Sequence, residues 1–106
     1  MVLGSARQRV KKKMKISGKQ VTAARDLLGI TQAELAEISG LNKETIFRFE
    51  AGKAEPHARS LAKIVNELER RGIEFTNGTG IGIRLNYEKA AEFARSTAQA
   101  PNESDR

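Results

Sequence analysis

Asn42, Lys43, Glu44, Phe47 and Arg48 crowd into one short stretch of the chain. Their side chains are of the kinds that read a nucleic-acid base from its edge. An Asn amide can pair bidentately with adenine, and a Lys ammonium can reach guanine O6 or N7. A Glu carboxylate can accept from cytosine N4, an Arg fork suits guanine, and a Phe ring can rest on a thymine methyl. Other chemistries lack their residues. Cys is absent and His57 is the only His, so no zinc or di-metal centre can be assembled, and neither metal nor cofactor is expected. No nucleophile–base constellation or phosphate loop stands out, so no catalytic residue and no enzyme is expected. Gly78-Thr79-Gly80-Ile81-Gly82 is glycine-rich, but it lies between two strand-like runs, so the dinucleotide fingerprint fails its context.

Reading of bases requires a rigid element that fits a groove, and the sequence supplies one. Ser17-Gly18-Lys19-Gln20 and Thr31-Gln32-Ala33-Glu34 each fit a capping box, in which the hydroxyl accepts from the N3 amide and the third residue reaches back. The first opens a helix with Val21, Ala24, Leu27 and Leu28 on one face. The second opens a short helix carrying Leu35, Ala36 and Ile38. Asn42 can cap a third helix, Lys43 to Ala51, with Ile46 and Phe49 inward and Phe47 therefore outward. After Pro56, the spacing of Leu61, Ile64, Val65 and Leu68 predicts a fourth amphipathic helix ending at Arg71. Gly29, Gly40, Gly52 and Gly72 each follow such a segment, where a left-handed residue is expected. The tight turn at Gly40 between two short helices marks a helix-turn-helix, which leaves the first turn of the third helix free to enter a major groove.

Beyond Gly72 the apolar period falls from helical to alternating. Ile73 and Phe75, then Ile81, Ile83 and Leu85, predict a β-hairpin around Asn77-Gly78-Thr79-Gly80. A two-residue turn would put the two apolar sets on opposite faces. An odd-length loop is therefore expected: three residues, Asn77 to Thr79, pair Phe75 with Ile81 and Ile73 with Ile83, and five residues are read as giving the same pairs. A lone hairpin is marginal in water, so it must pack on the helices or on another chain. Asn86 can cap a fifth helix carrying Tyr87, Ala90, Ala91 and Ala94 to about Ala98, and residues 99–106 read as a tail. The fold expected is mainly α: a four-to-five-helix domain with a C-terminal β-hairpin.

The formal net charge is +6, but it is unevenly spread. Residues 1–18 hold Arg7, Arg9, Lys11, Lys12, Lys13 and Lys15 with no acid, whereas 19–71 net +1 and 72–106 net −1. Residues 1–16 are thus expected to be a disordered basic arm, either a solvated tail or a nucleic-acid contact, with Met14 an alternative start. No run approaches the ~18 consecutive apolar residues of a membrane span, and the start lacks a signal-peptide core. A cytoplasmic protein with no membrane partner is expected.

Residues 17–71 resemble the Cro and lambda-repressor type of DNA-binding domain, the XRE family. The likeness rests on Thr31-Gln32-x-x-Leu35-Ala36, the central Ser39-Gly40-Leu41, and Ile46-x-x-Phe49-Glu50-x-Gly52-Lys53. It implies base contacts by Asn42, Lys43, Glu44, Phe47 and Arg48, with Glu44 able instead to orient Arg48 four residues on. It implies phosphate contacts by Gln32, Thr45, Lys53 and Arg59. Gln32 could instead act in capping, and Thr45 could instead satisfy a helix carbonyl. It further implies a structural ion pair between Arg25 and Glu50, while His57 reads as a surface loop residue. The expected function is that of a sequence-specific transcriptional regulator, a repressor, binding double-stranded DNA as a homodimer on a pseudo-palindromic operator with no small-molecule effector evident. Ile73, Phe75, Ile81, Ile83 and Leu85 are the expected dimerisation residues, within a unit spanning 72–98. The alternative is an antitoxin that uses the same domain for autoregulation.

Overall fold

Residues 15–98 are described by a computed structural model; the basic arm up to Met14 and the tail from residue 99 lie outside them. Five helices and one hairpin follow in order: α1 (Gly18–Leu28), α2 (Gln32–Ser39), α3 (Lys43–Glu50), α4 (Ala58–Arg70), β1 (Ile73–Thr76), β2 (Gly82–Leu85) and α5 (Tyr87–Ala98). The protein is mainly helical with a small antiparallel hairpin, as the sequence predicts.

Local chemistry sets the helix ends. Both capping boxes close: the Ser17 hydroxyl accepts from the Gln20 amide and the Thr31 hydroxyl from the Glu34 amide, with each third side chain reaching back. Asn42 Oδ1 accepts from the Thr45 N–H at 3.0 Å and so opens α3. Gly40 ends α2 at φ 73°, a left-handed conformation that costs a residue with a Cβ roughly 1–2 kcal/mol. That turn brings α3 across α2.

The core is built from inward faces of all these elements. Val21, Leu35, Ile46, Ile64 and Leu68 are fully buried, and Ala24 and Ala36 are small enough to let α1 and α2 close on it. Burial of each large aliphatic contributes about 1.5–3 kcal/mol. Two expectations are corrected. Leu27 stands 49% exposed, one position off the inward face, which Leu28 completes. Ile16, placed in the basic arm from sequence, is buried among the core residues; the folded unit therefore includes it.

The hairpin register also differs from that expected. Its loop is the five residues 77–81, and the pairs are Ile73 with Leu85, Phe75 with Ile83 and Thr76 with Gly82. A five-residue loop keeps the same face as a three-residue one but moves every partner by two. The cause is tertiary: the Gln20 amide bonds the carbonyls of Thr76 and Gly82 and so fixes where the strands part. Ile81 is left out of the ladder and 56% exposed. The apolar face lies on the protein's own helices, with Ile73 buried and Phe75, Ile83 and Leu85 packed against the core.

Glu74 ties the hairpin to α5. It accepts from Arg84 Nε at 2.6 Å and Asn86 Nδ2 at 3.0 Å, with Lys89 Nζ at 3.3 Å. Hydrogen bonds from Asn86 and Arg84, with help from Lys89, pull its carboxyl down to about 2 against a weaker opposing effect of burial. A depressed carboxyl stabilises the fold fully above its unfolded value of 4.5 and loses that contribution as pH falls to about 2. Acid titration of wild type should therefore loosen α5 between those limits, and Glu74→Gln should remove that part of the acid sensitivity. Identical acid midpoints by far-UV circular dichroism would contradict this. At its middle, α5 is held by Phe93, whose ring lies 5.0 Å from the Arg70 guanidinium and 4.4 Å from that of Arg71.

Candidate nucleic-acid interface

α3 divides its side chains as a reading helix must. Ile46 and Phe49 are buried, while Asn42, Lys43, Glu44, Phe47 and Arg48 are exposed. Phe47, 46% exposed, gives this polar face an apolar centre. Lys43 and Phe47, and Glu44 and Arg48, stand at i and i+4, so they line up on one side. The ion pairs formed among the described residues do not include Glu44 with Arg48. Arg48 thus presents its fork outward without that carboxylate.

The structure narrows what two of these residues can offer. Asn42 Oδ1 is committed to the cap, accepting from both the Thr45 N–H and the Thr45 hydroxyl, the latter at 3.1 Å. Bidentate pairing with adenine needs Oδ1 as well as Nδ2, so in this conformation Asn42 offers only its Nδ2 donor. Thr45 uses its hydroxyl on the same cap, not on a helix carbonyl.

A buried carboxylate braces α3 from behind. Glu50 Oε2 accepts from Arg25 Nε at 2.8 Å. Its Oε1 accepts from Arg25 Nη2 at 2.8 Å, Thr22 Oγ1 at 2.9 Å and Gln32 Nε2 at 3.0 Å. Arg25 Nη1 also reaches the Ile30 carbonyl at 3.1 Å, so one pair joins α1, α2, their connection and α3. The side chains of Arg25 and Glu50 are only 14% and 6% exposed. Burial alone would raise the Glu50 carboxyl, but the bonds from Arg25, Gln32 and Thr22 outweigh it and hold it below its ordinary value. The Glu50 hydrogen bond in turn raises the Arg25 guanidinium, against a smaller effect of burial. Gln32, expected at a phosphate, spends one amide N–H on this brace and keeps a second for an outside acceptor.

Two shallow grooves lie near α3. One, of about 530 Å³, lies over the end of α1, the α1–α2 connection and the start of α2, with Lys43 of α3 at its edge. The other, of about 300 Å³, separates Arg48 from Pro56, His57 and Ser60 at the start of α4. The α4 start has no side-chain cap, and Arg59 beside it is exposed, a setting that suits an anion. Lys53 offers only its side chain, since its own N–H donates to the Arg48 carbonyl at 2.8 Å. The expected dimerisation residues do not form one exposed patch: Ile73 is inside the core, and Ile81 stands apart on the hairpin loop.

Of three residues that matter here, Gln20 and Gly18 were legible in the sequence only as helix-start chemistry, and Thr22 carried no signal of its own. Thr22 feeds the Glu50 brace. Gln20 is buried and bonds the hairpin. Gly18 lies so close to α3 that a Cβ built on it would stand 2.1 Å from the Phe49 carbonyl oxygen. A capping box gives a reason for Ser17 and Gln20 but none for the glycine between them. Only the crossing of α1 over α3 supplies that reason.

A family model described as helix-turn-helix matches residues 21–75, just over half of the chain. The chain belongs to the helix-turn-helix family. It is also 34% identical over 79 residues to a protein of Methanococcus vannielii that carries the provisional name HTH-type transcriptional regulatory protein. That alignment covers 74% of this chain but 24% of the relative, so the chain spans about a quarter of that protein's length. The helix-turn-helix match contains the Arg25–Glu50 brace and all of α3, but stops within β1, before the hairpin loop, β2 and α5. Among the described residues no helix is long and apolar enough to cross a membrane, and no cluster of His, Cys, Asp or Glu could hold a metal ion.

Proposed function

We propose that this helix-turn-helix protein is a sequence-specific transcriptional regulator, a repressor, that binds double-stranded DNA as a homodimer. The observation that carries the reading is the exposed polar face of α3, without ion pairs among the described residues, held against a buried Arg25–Glu50 brace. In this reading α3 enters the major groove. Arg48 reads guanine, Lys43 reaches guanine O6 or N7, Asn42 donates from Nδ2, Phe47 meets a thymine methyl and Glu44 accepts from cytosine. Gln32, Lys53 and Arg59 hold phosphates on either side of the groove, and the Thr45 hydroxyl serves the cap that shapes the first turn. The name of the Methanococcus relative supports a regulatory role, and a pseudo-palindromic operator follows from pairing two copies about a two-fold axis.

Two recognition helices would then meet half-sites about 34 Å apart. Since the apolar side of the hairpin is occupied by the protein's own core, the exposed side of α5 led by Tyr87 is the surface left for the second copy. Sedimentation with a selected duplex should give two chains per site; one chain per site would overturn the homodimer.

Arg48→Ala tests the reading helix itself. It should lose about 1–3 kcal/mol on the selected duplex and relax the preference at one base pair, with little change on random DNA. Fluorescence anisotropy on both duplexes checks this. A loss of equal size on both would mean that Arg48 touches only the backbone.

A further inference from the structure

Gln20 is 2% exposed, and its amide bonds the mouth of the hairpin to α1. Oε1 accepts from the Ser17 N–H at 2.9 Å, as its capping box requires. Nε2 donates far along the chain, to the Thr76 carbonyl at 3.2 Å and the Gly82 carbonyl at 3.0 Å, with Asn77 Oδ1 at 3.4 Å. Thr76 and Gly82 are the last pair of the ladder, so a single amide holds both strands at the point where they part. Asn77 Nδ2 in turn donates to the Lys15 carbonyl at 2.7 Å, which fastens the hairpin mouth to the segment leading into α1.

The opposite side of the same turn bears on α3. Residues two apart on a helix point about 200° from each other, so Gly18 and Thr22 face away from Gln20. Gly18 lies against the Phe49 carbonyl, and Thr22 donates to Glu50. The first turn of α1 is therefore clamped by the hairpin on one side and carries the end of α3 on the other. Arg48 is the residue next to that contact. Gln20, Thr76 and Gly82 all lie outside residues 21–75, which the family model matches.

We propose that Gln20 is a positioning residue for DNA reading: by clamping the hairpin mouth to the first turn of α1, it makes residues 76–82 part of the support of α3. The inference rests on the DNA-reading role proposed above. Truncating the amide removes the bonds to the Thr76 and Gly82 carbonyls at the hairpin mouth and lets the turn that supports α3 shift.

The test uses the full chain and two variants. Gln20→Met keeps the length of the side chain and removes all its hydrogen bonds. Asn77→Ala removes the tether to Lys15 and the 3.4 Å contact with Gln20 and leaves both carbonyl bonds of Gln20 in place. Amide exchange is followed at 51–53, whose N–H groups bond back into α3. Affinity is compared between a duplex that wild type selects from a random library and a shuffled duplex of equal length, at a temperature where each variant is folded. Gln20→Met should speed exchange at 51–53 by about tenfold and lower the preference for the selected duplex by about tenfold, with affinity for the shuffled duplex unchanged. Asn77→Ala should stay within about twofold of wild type in preference. Faster exchange confined to the hairpin and the first turn of α1, with the preference intact, would overturn the proposal. Failure of wild type to select any duplex would sink the DNA-reading role, and the exchange pattern alone would then decide whether the clamp supports α3. Should Gln20→Met not fold, native-state exchange of wild type in rising denaturant takes its place: the hairpin mouth and 51–53 should open in one step, and separate opening would overturn the clamp.

Discussion

Arg25→Ala should destabilise the folded protein by about 3–5 kcal/mol, the range for stripping one partner from a buried ion pair. The residue left behind is the reason. Glu50 is 6% exposed at its side chain, and without the guanidinium its carboxylate would keep only the Thr22 hydroxyl and the Gln32 amide as donors. The Ile30 carbonyl would lose the Arg25 Nη1 bond as well. Against a total stability of roughly 5–15 kcal/mol for a domain of ordinary size, the variant should be close to unfolding at body temperature. Arg25→Lys should rescue little, since an ammonium is a point charge and cannot form the two parallel bonds to Oε1 and Oε2. Urea unfolding of the two variants and wild type checks this. A loss below about 1 kcal/mol would mean the pair behaves as a solvent-screened surface pair, and the brace behind α3 would have to be abandoned.

Gly18→Ala has the second largest expected effect, and its sign is the informative part. On helix propensity alone, alanine in place of glycine gains about 0.8–1.0 kcal/mol in a helix interior. At this position the new Cβ would stand 2.1 Å from the Phe49 oxygen, 2.8 Å from its carbonyl carbon and 2.9 Å from the Glu50 Cα. All three are backbone atoms, with no flexible side chain to swing away. Either α1 or the end of α3 must move, and overpacking of this kind typically costs about 1–3 kcal/mol. The net result should be a lower melting temperature together with weaker discrimination between DNA sequences, because the displaced segment adjoins Arg48. A variant as stable as wild type would show that the two backbones are not in close contact.

The parts of this molecule that were legible in the sequence are those governed by neighbours along the chain. The capping boxes at Ser17 and Thr31, the Asn42 cap, the turn at Gly40 and the inward faces of α3 and α4 are local signals, and the structure shows each. The outward placement of Asn42, Lys43, Glu44, Phe47 and Arg48 follows from the inward placement of Ile46 and Phe49, so this exposed face was legible in the sequence. What escaped depends on contacts between distant segments. The hairpin register turned on whether Gly82 or Gly80 faced Thr76, and a side chain in α1 decided it. Ile16 looked like the end of a charged arm because its partners in the core are far away in sequence. The commitment of the Gln32 amide to Glu50 and of Asn42 Oδ1 to Thr45 changes what each residue can offer a ligand, and spacing alone could not distinguish a free amide from a spent one.

The charge of the chain looks different once the fold is known. The described residues of the helical unit carry nearly balanced charge, and the basic excess lies mostly in residues outside them. Under the proposed function, sequence preference would come from α3, with Arg48, Lys43, Asn42 and Phe47 at base edges, while general basicity would add only a salt-sensitive attraction to any duplex.

The measurement that tests this most directly is the ratio of affinities of the wild-type chain for a duplex selected from a random library and for a shuffled duplex, at about 150 mM salt where surface electrostatics are largely screened. The expected ratio is about 10³ or more, abolished by N7-methylation of guanines in the selected site. Equal affinity for the two duplexes, or a preference indifferent to that major-groove modification, would contradict it.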